Sequence, residues 1–253
     1  MVHLSKFHYL KRLSLFYCNI SNRGLQYIAQ LTDLEELNLD SREISDSGLR
    51  HLRKLRKLRS LDVFSGRITD AGCTHIASIK SLEALELCGG GVGDLGCTLL
   101  SGLENLTSLN LSQNERITNR GASALSALKA LKALNLSNTC VDTSGNLRLP
   151  ASLQSLALYG CSGIEDDTGM SLLQMNLPRL KCLRLNQHSN QDGVMFGMSN
   201  AESQMDTSNS SQGFAPAARF HAGEVAYAGE GTDSEDDAME ANDEDDSDYS
   251  EHD

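Results

Sequence analysis

The sequence predicts an α/β solenoid: a right-handed horseshoe of stacked strand, turn and helix coils, with a parallel sheet on its concave face. Three observations carry this. A leucine ladder recurs at a near-constant interval, an Ile or Val and, four or five residues later, a Gly follow it, and the apolar period changes from two to helical spacing within each copy.

The strongest ladders are Leu34-x-x-Leu37-x-Leu39, Leu58-x-x-Leu61-x-Val63, Leu82-x-x-Leu85-x-Leu87, Leu106-x-x-Leu109-x-Leu111 and Leu131-x-x-Leu134-x-Leu136, spaced by 24, 24, 24 and 25 residues. Leu10, Leu13 and Leu15 make an incomplete first copy, while Leu153, Leu156, Leu158 and Leu180, Leu183, Leu185 supply the last two. The Leu-x-Leu core has period two and reads as a short strand with both leucines facing inward. Ile20, Ile44, Ile68, Val92, Ile117, Val141 and Ile164 come next, then Gly24, Gly48, Gly72, Gly96, Gly121, Gly145 and Gly169. Leu49, Leu52 and Leu55, or Leu99, Leu100 and Leu103, give the helical spacing beyond each glycine. One copy alone cannot bury its apolar side, so the copies stack.

Ser45-Asp46, Thr69-Asp70, Gly93-Asp94 and Thr118-Asn119 precede the helices and are expected to cap their first turns. A glycine lowers helix propensity. Its recurrence in register therefore predicts a contact between coils that is too close for a side chain.

These ladders, with the step Ile68-Thr69-Asp70-Ala71-Gly72, resemble the ribonuclease-inhibitor-like, cysteine-containing class of leucine-rich repeat proteins. That class is similar to the repeat regions of F-box proteins and to plant intracellular leucine-rich repeat proteins. The resemblance covers about residues 7–188, as seven to eight repeats of 23–27 residues, and implies a leucine-rich repeat solenoid used as a non-catalytic protein-recognition scaffold. A ubiquitin-ligase-type substrate adaptor is one such use. No F-box-like segment precedes the repeats, and the first ladder lacks a helix and a polar cap before it. The chain is therefore expected to be a fragment, or an alternative gene model, of a longer protein.

Charge divides the chain. Residues 1–199 hold 21 Lys and Arg against 18 acids, while residues 200–253 hold one arginine against 16 acids; +3 and −15 sum to the −12 of the whole. Residues 189–253 have no apolar periodicity and are expected to be disordered, acidic from residue 220. Thr232, Ser234 and Ser250, each with an acid three residues on, suit an acid-directed kinase. The tail supports an alternative function, an acidic-tailed interaction or chaperone-like protein for basic nuclear clients.

The seven cysteines form no Cys-x-x-Cys pair. Cys73 and Cys97 occupy the same post-glycine position, where a small apolar helix residue is wanted, and Cys18 and Cys161 sit at the turn leaving the strand, where the resemblance implies Asn or Cys; all four are expected to be core thiols and not metal ligands. No export signal opens the chain, and no apolar stretch is long enough to span a bilayer. A cytoplasmic or nuclear location is expected. No phosphate-binding glycine loop, acid–base pair or His-rich metal signature appears. The expected protein is thus not an enzyme and needs no cofactor or metal.

Strand residues flanking the inward leucines should form rows on the concave face. The first row reads Ser14, Asn38, Asp62, Glu86, Asn110, Asn135, Ala157, Arg184; the second runs from Phe16 and Asp40 through Phe64, Cys88, Ser112, Ser137 and Tyr159 to Asn186; the third includes Tyr17, Gly89, Gln113, Asn138 and Gly160. Asp62 and Glu86 fall side by side with Asp40 diagonal, which suits a protein partner with a basic segment, although screening by water and salt is the simpler reading. Phe64 and Tyr159 add aromatic surface of the kind that anchors interfaces. For Phe16 and Tyr17 two readings stand, interface anchor or cover for the first coil. Asn110, Ser112, Gln113, Asn135, Ser137 and Asn138 should form a neutral polar surface. The candidate partner-binding set is Phe16, Tyr17, Asp40, Asp62, Phe64, Glu86 and Tyr159.

One helix is strongly basic, with Arg50, Arg53, Lys54, Arg56, Lys57 and Arg59 around Leu49, Leu52, Leu55 and Leu58. A solvated outer face is the simple reading. Without interleaved aromatics, sequence-specific nucleic-acid recognition is not expected.

Overall fold

The computed structural model describes residues 6–16, 18–39, 43–64, 67–142, 147–161, 164 and 177–185. Tyr17, Asp40, Gly145, Gly169 and the whole tail, with its expected disorder and phosphorylation sites, lie outside the described residues.

Each Leu-x-Leu core is a strand: β1 (Arg12–Ser14), β2 (Glu36–Asn38), β3 (Ser60–Phe64), β4 (Ala84–Cys88), β5 (Ser108–Asn110), β6 (Ala133–Asn135), β7 (Ser155–Ala157) and β8 (Cys182–Arg184). They form one eight-stranded parallel sheet in chain order. Leu13, Leu37, Leu61, Leu85, Leu109, Leu134, Leu156 and Leu183 lie opposite one another along it. The register repeats the sequence interval because every coil presents the same inward leucine. Parallel neighbours need a crossover between them, and from β1 to β6 a helix in each coil supplies it.

The crossovers carry α1 (Asn22–Ile28), α2 (Asp46–Leu49), α3 (Asp70–Ile76), α4 (Asp94–Leu100) and α5 (Asn119–Ala124). Behind the sheet, ladder leucines, turn Ile/Val residues and inward helix residues merge into one continuous core from Leu25 to Leu177. Leu10, Leu13, Leu15, Leu180, Leu183 and Leu185, in the terminal ladders, are only partly buried.

The basic helix departs from expectation. After the single turn of α2, the chain tightens into a 3-10 helix over Arg50–Lys54. Leu49, Leu52, Leu55 and Leu58 are all fully buried. Their spacing of three matches the three residues per turn of a 3-10 helix better than the 3.6 of an α-helix. The same tightening follows α5 at Leu125–Ala127, where Leu125, Leu128 and Leu131 repeat that spacing. Residues 147–154, before β7, form no helix; Pro150 lies among them and lacks the N–H that a helix interior requires.

The repeat glycines mark a close approach between coils, as expected, and the polar residues before them explain it. Thr69 and Thr118 cap their own helices by accepting from the N–H of Ala71 and Arg120. The following Asp or Asn acts differently from the own-helix cap that its position suggests, because it reaches forward to the next coil. Asp46 accepts from the Thr69 N–H (2.8 Å) and hydroxyl (2.7 Å); Asp70 accepts from Gly93 (2.7 Å) and Gly96 (2.9 Å) N–H. Asp94 accepts from Thr118 and from the Gly121 N–H (2.9 Å), and Asn119 accepts from the Asp142 N–H (2.9 Å). Each side chain thus satisfies open N–H groups one coil along. A Cβ on Gly96 would stand 2.7 Å from Asp70 Oδ1 and 2.6 Å from Val92 Cγ1.

Where the strands end, buried Asn114 joins two coils. Its amide donates to Leu87 O and Leu111 O (2.9 Å each), and its oxygen accepts from the Val92 N–H (3.1 Å). Thr139 and Cys161 hold the same place in later coils, and both donate to Leu136 O. Cys73, Cys97 and Cys161 are buried, as expected, but Cys18 is exposed. Cys161 spans back to the carbonyl of the preceding coil, whereas no coil precedes Cys18 among the described residues.

Candidate concave recognition surface

The sheet aligns the first row as its register requires. Ser14 faces Asn38, Asn38 faces Asp62, Asp62 faces Glu86, and the row continues through Asn110, Asn135 and Ala157 to Arg184. Asp62 and Glu86 are therefore neighbours across β3 and β4. Asn38 donates to Asp62 Oδ2 (2.8 Å), and the Asn110 side chain hydrogen-bonds to Glu86. An asparagine on each outer side thus steadies two adjacent carboxylates.

That pair is electrostatically loaded. Burial, then the Asp62 charge, push the Glu86 carboxyl up to about 7, against which the Asn110 hydrogen bond acts in the opposite direction. Cys88, next on β4, is pushed up to about 12, chiefly by burial, with Glu86 and Asp62 adding to it. Both shifts disfavour further negative charge here and would be relieved by a cation.

Phe64 faces Cys88 across the same two strands and keeps 42% of its surface exposed. Its ring lies against Gly89, where a Cβ would meet Phe64 Cε2 at 3.1 Å. Gly89 also has φ +71°, so its lack of a side chain serves both the turn and the aromatic above it. Asp62, Phe64 and Glu86 come together on β3 and β4. Tyr159 (58% exposed) lies just past β7, and Phe16 (54%) just past β1, so both are separate from that cluster. Tyr17 and Asp40 cannot be placed in it, being outside the described residues.

Two expectations about this face need correction. The third row belongs to the turns and not to the strands, since Gly89, Gln113, Asn138 and Gly160 all have left-handed φ between 55° and 71°. Nor do Asn110, Ser112, Asn135 and Ser137 form an open polar surface, because all four are buried. Asn110 Oδ1 accepts from the Ser112 N–H, and Asn135 Oδ1 from the Ser137 N–H, so these residues brace the ends of their own strands. Gln113 and Asn138 remain exposed.

A further row went unread in the sequence. Arg12, Glu36, Ser60, Ala84, Ser108 and Ala133 stand opposite one another, two residues before the first row and hence on the same face. Its central members are small and leave room beside Asp62 and Glu86. Period two alone would have found it. At the strand entrances, Lys11 pairs with Glu35 (3.0 Å) and Arg59 with Glu83 (3.4 Å).

Among the described residues, no group of three or more His, Cys, Asp or Glu side chains could hold a metal ion. None of the described helices is long and apolar enough to cross a membrane.

Residues 80–141 match a family model described as Leucine rich repeat, and residues 8–29 and 54–77 match a second model of the same description. A comparison with curated proteins returns no match. Among solved structures, the chain is similar to an internalin, InlF, from Listeria monocytogenes, with 22% identity and a TM-score of 0.56 over 81% of this chain and 58% of that one. Internalin C2 of the same organism is similar at 24% identity and a TM-score of 0.51, over 73% of this chain and 76% of that one. The chain thus spans little more than half of InlF, and identities this low show a shared fold.

Proposed function

We propose that this leucine-rich repeat solenoid is a non-catalytic recognition scaffold, which takes a protein segment bearing a basic side chain on its concave face. The observation that carries the reading is the cluster on β3 and β4: Asp62 beside Glu86, Asn38 and Asn110 holding them, and exposed Phe64 alongside. Like charges on neighbouring strands are destabilising, and a lysine or arginine between them removes that penalty. Phe64 supplies the large rigid contact that binding energy concentrates on. Phe16 and Tyr159 extend the surface towards its two ends, with Tyr17 and Asp40 completing the candidate set.

The finer readings rest on the resemblance and on composition. An adaptor role of the ubiquitin-ligase type follows from likeness to F-box repeat regions within the ribonuclease-inhibitor-like class, and predicts a docking segment for a ligase in the full transcript. A cytoplasmic or nuclear site follows from the unpaired cysteines. The acidic-tailed alternative, a chaperone-like protein for basic clients, predicts binding that is lost when residues 220–253 are removed.

The test is a peptide display selection on the full-length chain, followed by titration of the selected peptide against Asp62→Asn, Glu86→Gln and Phe64→Ala. Each variant should weaken binding at least fivefold without lowering the thermal midpoint appreciably. Selected peptides without a required Lys or Arg, or binding indifferent to all three changes, would overturn the reading.

A further inference from the structure

A second charged surface lies on the other side of the coil, and the concave reading makes no use of it. Between Asp46 and Asp62 the chain has six Lys or Arg and no acid. The 3-10 helix Arg50–Lys54 sets three of them in rows, because at three residues per turn side chains three apart eclipse. Arg50 and Arg53 share one row and His51 and Lys54 another, while Arg56 follows in the turn past the helix end. Arg50, Arg53, Lys54 and Arg56 are exposed.

Two of the six cations are already partnered, Lys57 with Asp33 (2.6 Å) and Arg59 with Glu83. Among the described residues, no carboxylate pairs with Arg50, Arg53, Lys54 or Arg56. Positions 24 residues away on either side, Gln26, Gln30, Thr74 and Ser78 among them, bring no acid. His51 registers the resulting field: burial, then Arg50, then Lys54 lower its pKa.

We propose that this ridge is a docking strip for a short acidic polypeptide segment. Guanidinium groups bind carboxylates through paired hydrogen bonds, and three of these four cations are arginines. Size argues against a nucleic-acid backbone. The five residues of the 3-10 helix, at a rise of about 2 Å each, span roughly 8 Å, and four cations fall short of the roughly 6–10 phosphate contacts that sustain strong salt-dependent binding. The ridge also has no exposed aromatic on which a base could stack. Residues 220–253 of this chain, with 14 acids and no Lys or Arg, have the required chemistry and serve as the probe.

Fluorescence anisotropy of a labelled 220–253 peptide tests this with two full-length proteins, the natural chain and one whose Asp and Glu in 220–253 are changed to Asn and Gln. The second protein, whose residues 220–253 carry no acid, should bind the peptide. Affinity should fall at least tenfold in the triple variant Arg50→Gln/Arg53→Gln/Arg56→Gln, and also on raising salt from about 50 to 300 mM. Failure of the neutralised-tail protein to bind, or binding that survives the triple change with the fold intact by circular dichroism, overturns the proposal. So does tighter capture of a 12-nucleotide single-stranded RNA that the triple change abolishes, which would assign the ridge to nucleic acid.

Discussion

Gly96→Ala separates the coil-to-coil account from ordinary helix chemistry, because the two predict opposite signs. In an isolated helix, replacing Gly by Ala gains about 1 kcal/mol. Here the new Cβ would lie 2.6 Å from Val92 Cγ1, 2.7 Å from Asp70 Oδ1 and 3.0 Å from Cys73 Sγ. Asp70 cannot retreat without weakening its bonds to the N–H groups of Gly93 (2.7 Å) and Gly96 (2.9 Å). Hydrogen bonds to a charged group contribute about 1.5–3 kcal/mol each, and overpacking costs about 1–3 kcal/mol. Partial loss of the bonds plus the crowding, less the propensity gain, leaves a net destabilisation of about 2–4 kcal/mol. For a domain of this length that is a fall in Tm of roughly 5–15 °C. Urea and thermal unfolding read it, and the double variant with Asp70→Ala should be non-additive by more than about 0.5 kcal/mol because the two residues touch. A neutral or stabilising Gly96→Ala would refute the reasoning. Gly121→Ala should cost more still, since its Cβ would also meet the backbone of Asp94.

Other outcomes follow from the same geometry. The Glu86 pKa is raised from 4.5 to about 7 in the folded chain, so the folded state holds the proton more tightly and stability falls as pH rises through that window. At about 1.4 kcal/mol per pH unit the full displacement is roughly 3 kcal/mol, and partial solvation reduces it to about 1–2; Glu86→Gln should be more stable than the natural chain by that amount at pH 8 and no more stable at pH 4. Asn114→Leu should cost about 3 kcal/mol or more in urea unfolding, since it strands the Val92 N–H and the Leu87 carbonyl in the core. Burial raises Cys73 and brings Cys97 up to about 12, so a thiol reagent at pH 8 should label exposed Cys18, Cys140 and Cys182 and spare these two, as peptide mass mapping would read.

The strand register could be read from the text because two periods coincide: two within Leu-x-Leu and about 24 between copies. Hence Asp62 and Glu86 could be placed side by side before any coordinates. The direction of the caps could not, because a carboxylate seven residues after a ladder serves its own helix or the next coil equally well on paper. The glycines decide between the two, because the carboxylates of the preceding coil crowd them: Asp46 at Gly72, Asp70 at Gly96 and Asp94 at Gly121. The turn position is legible at Cys18 and Cys161, but Asn114 is not singled out there, because Thr139 and Cys161 fill its place in later coils and no single letter recurs. The 3-10 helix was legible in principle, since Leu49, Leu52, Leu55 and Leu58 have a spacing of three. Burial of Asn110 and Asn135 was not, for it depends on how closely neighbouring rows crowd on a concave sheet.

The central claim is that Asp62, Phe64 and Glu86 form one binding surface, and its most direct test is calorimetric titration of a display-selected peptide into the triple variant Asp62→Asn/Phe64→Ala/Glu86→Gln. The account predicts at least a 30-fold loss of affinity with the thermal midpoint unchanged or raised at pH 8. Full affinity in the triple variant would contradict it.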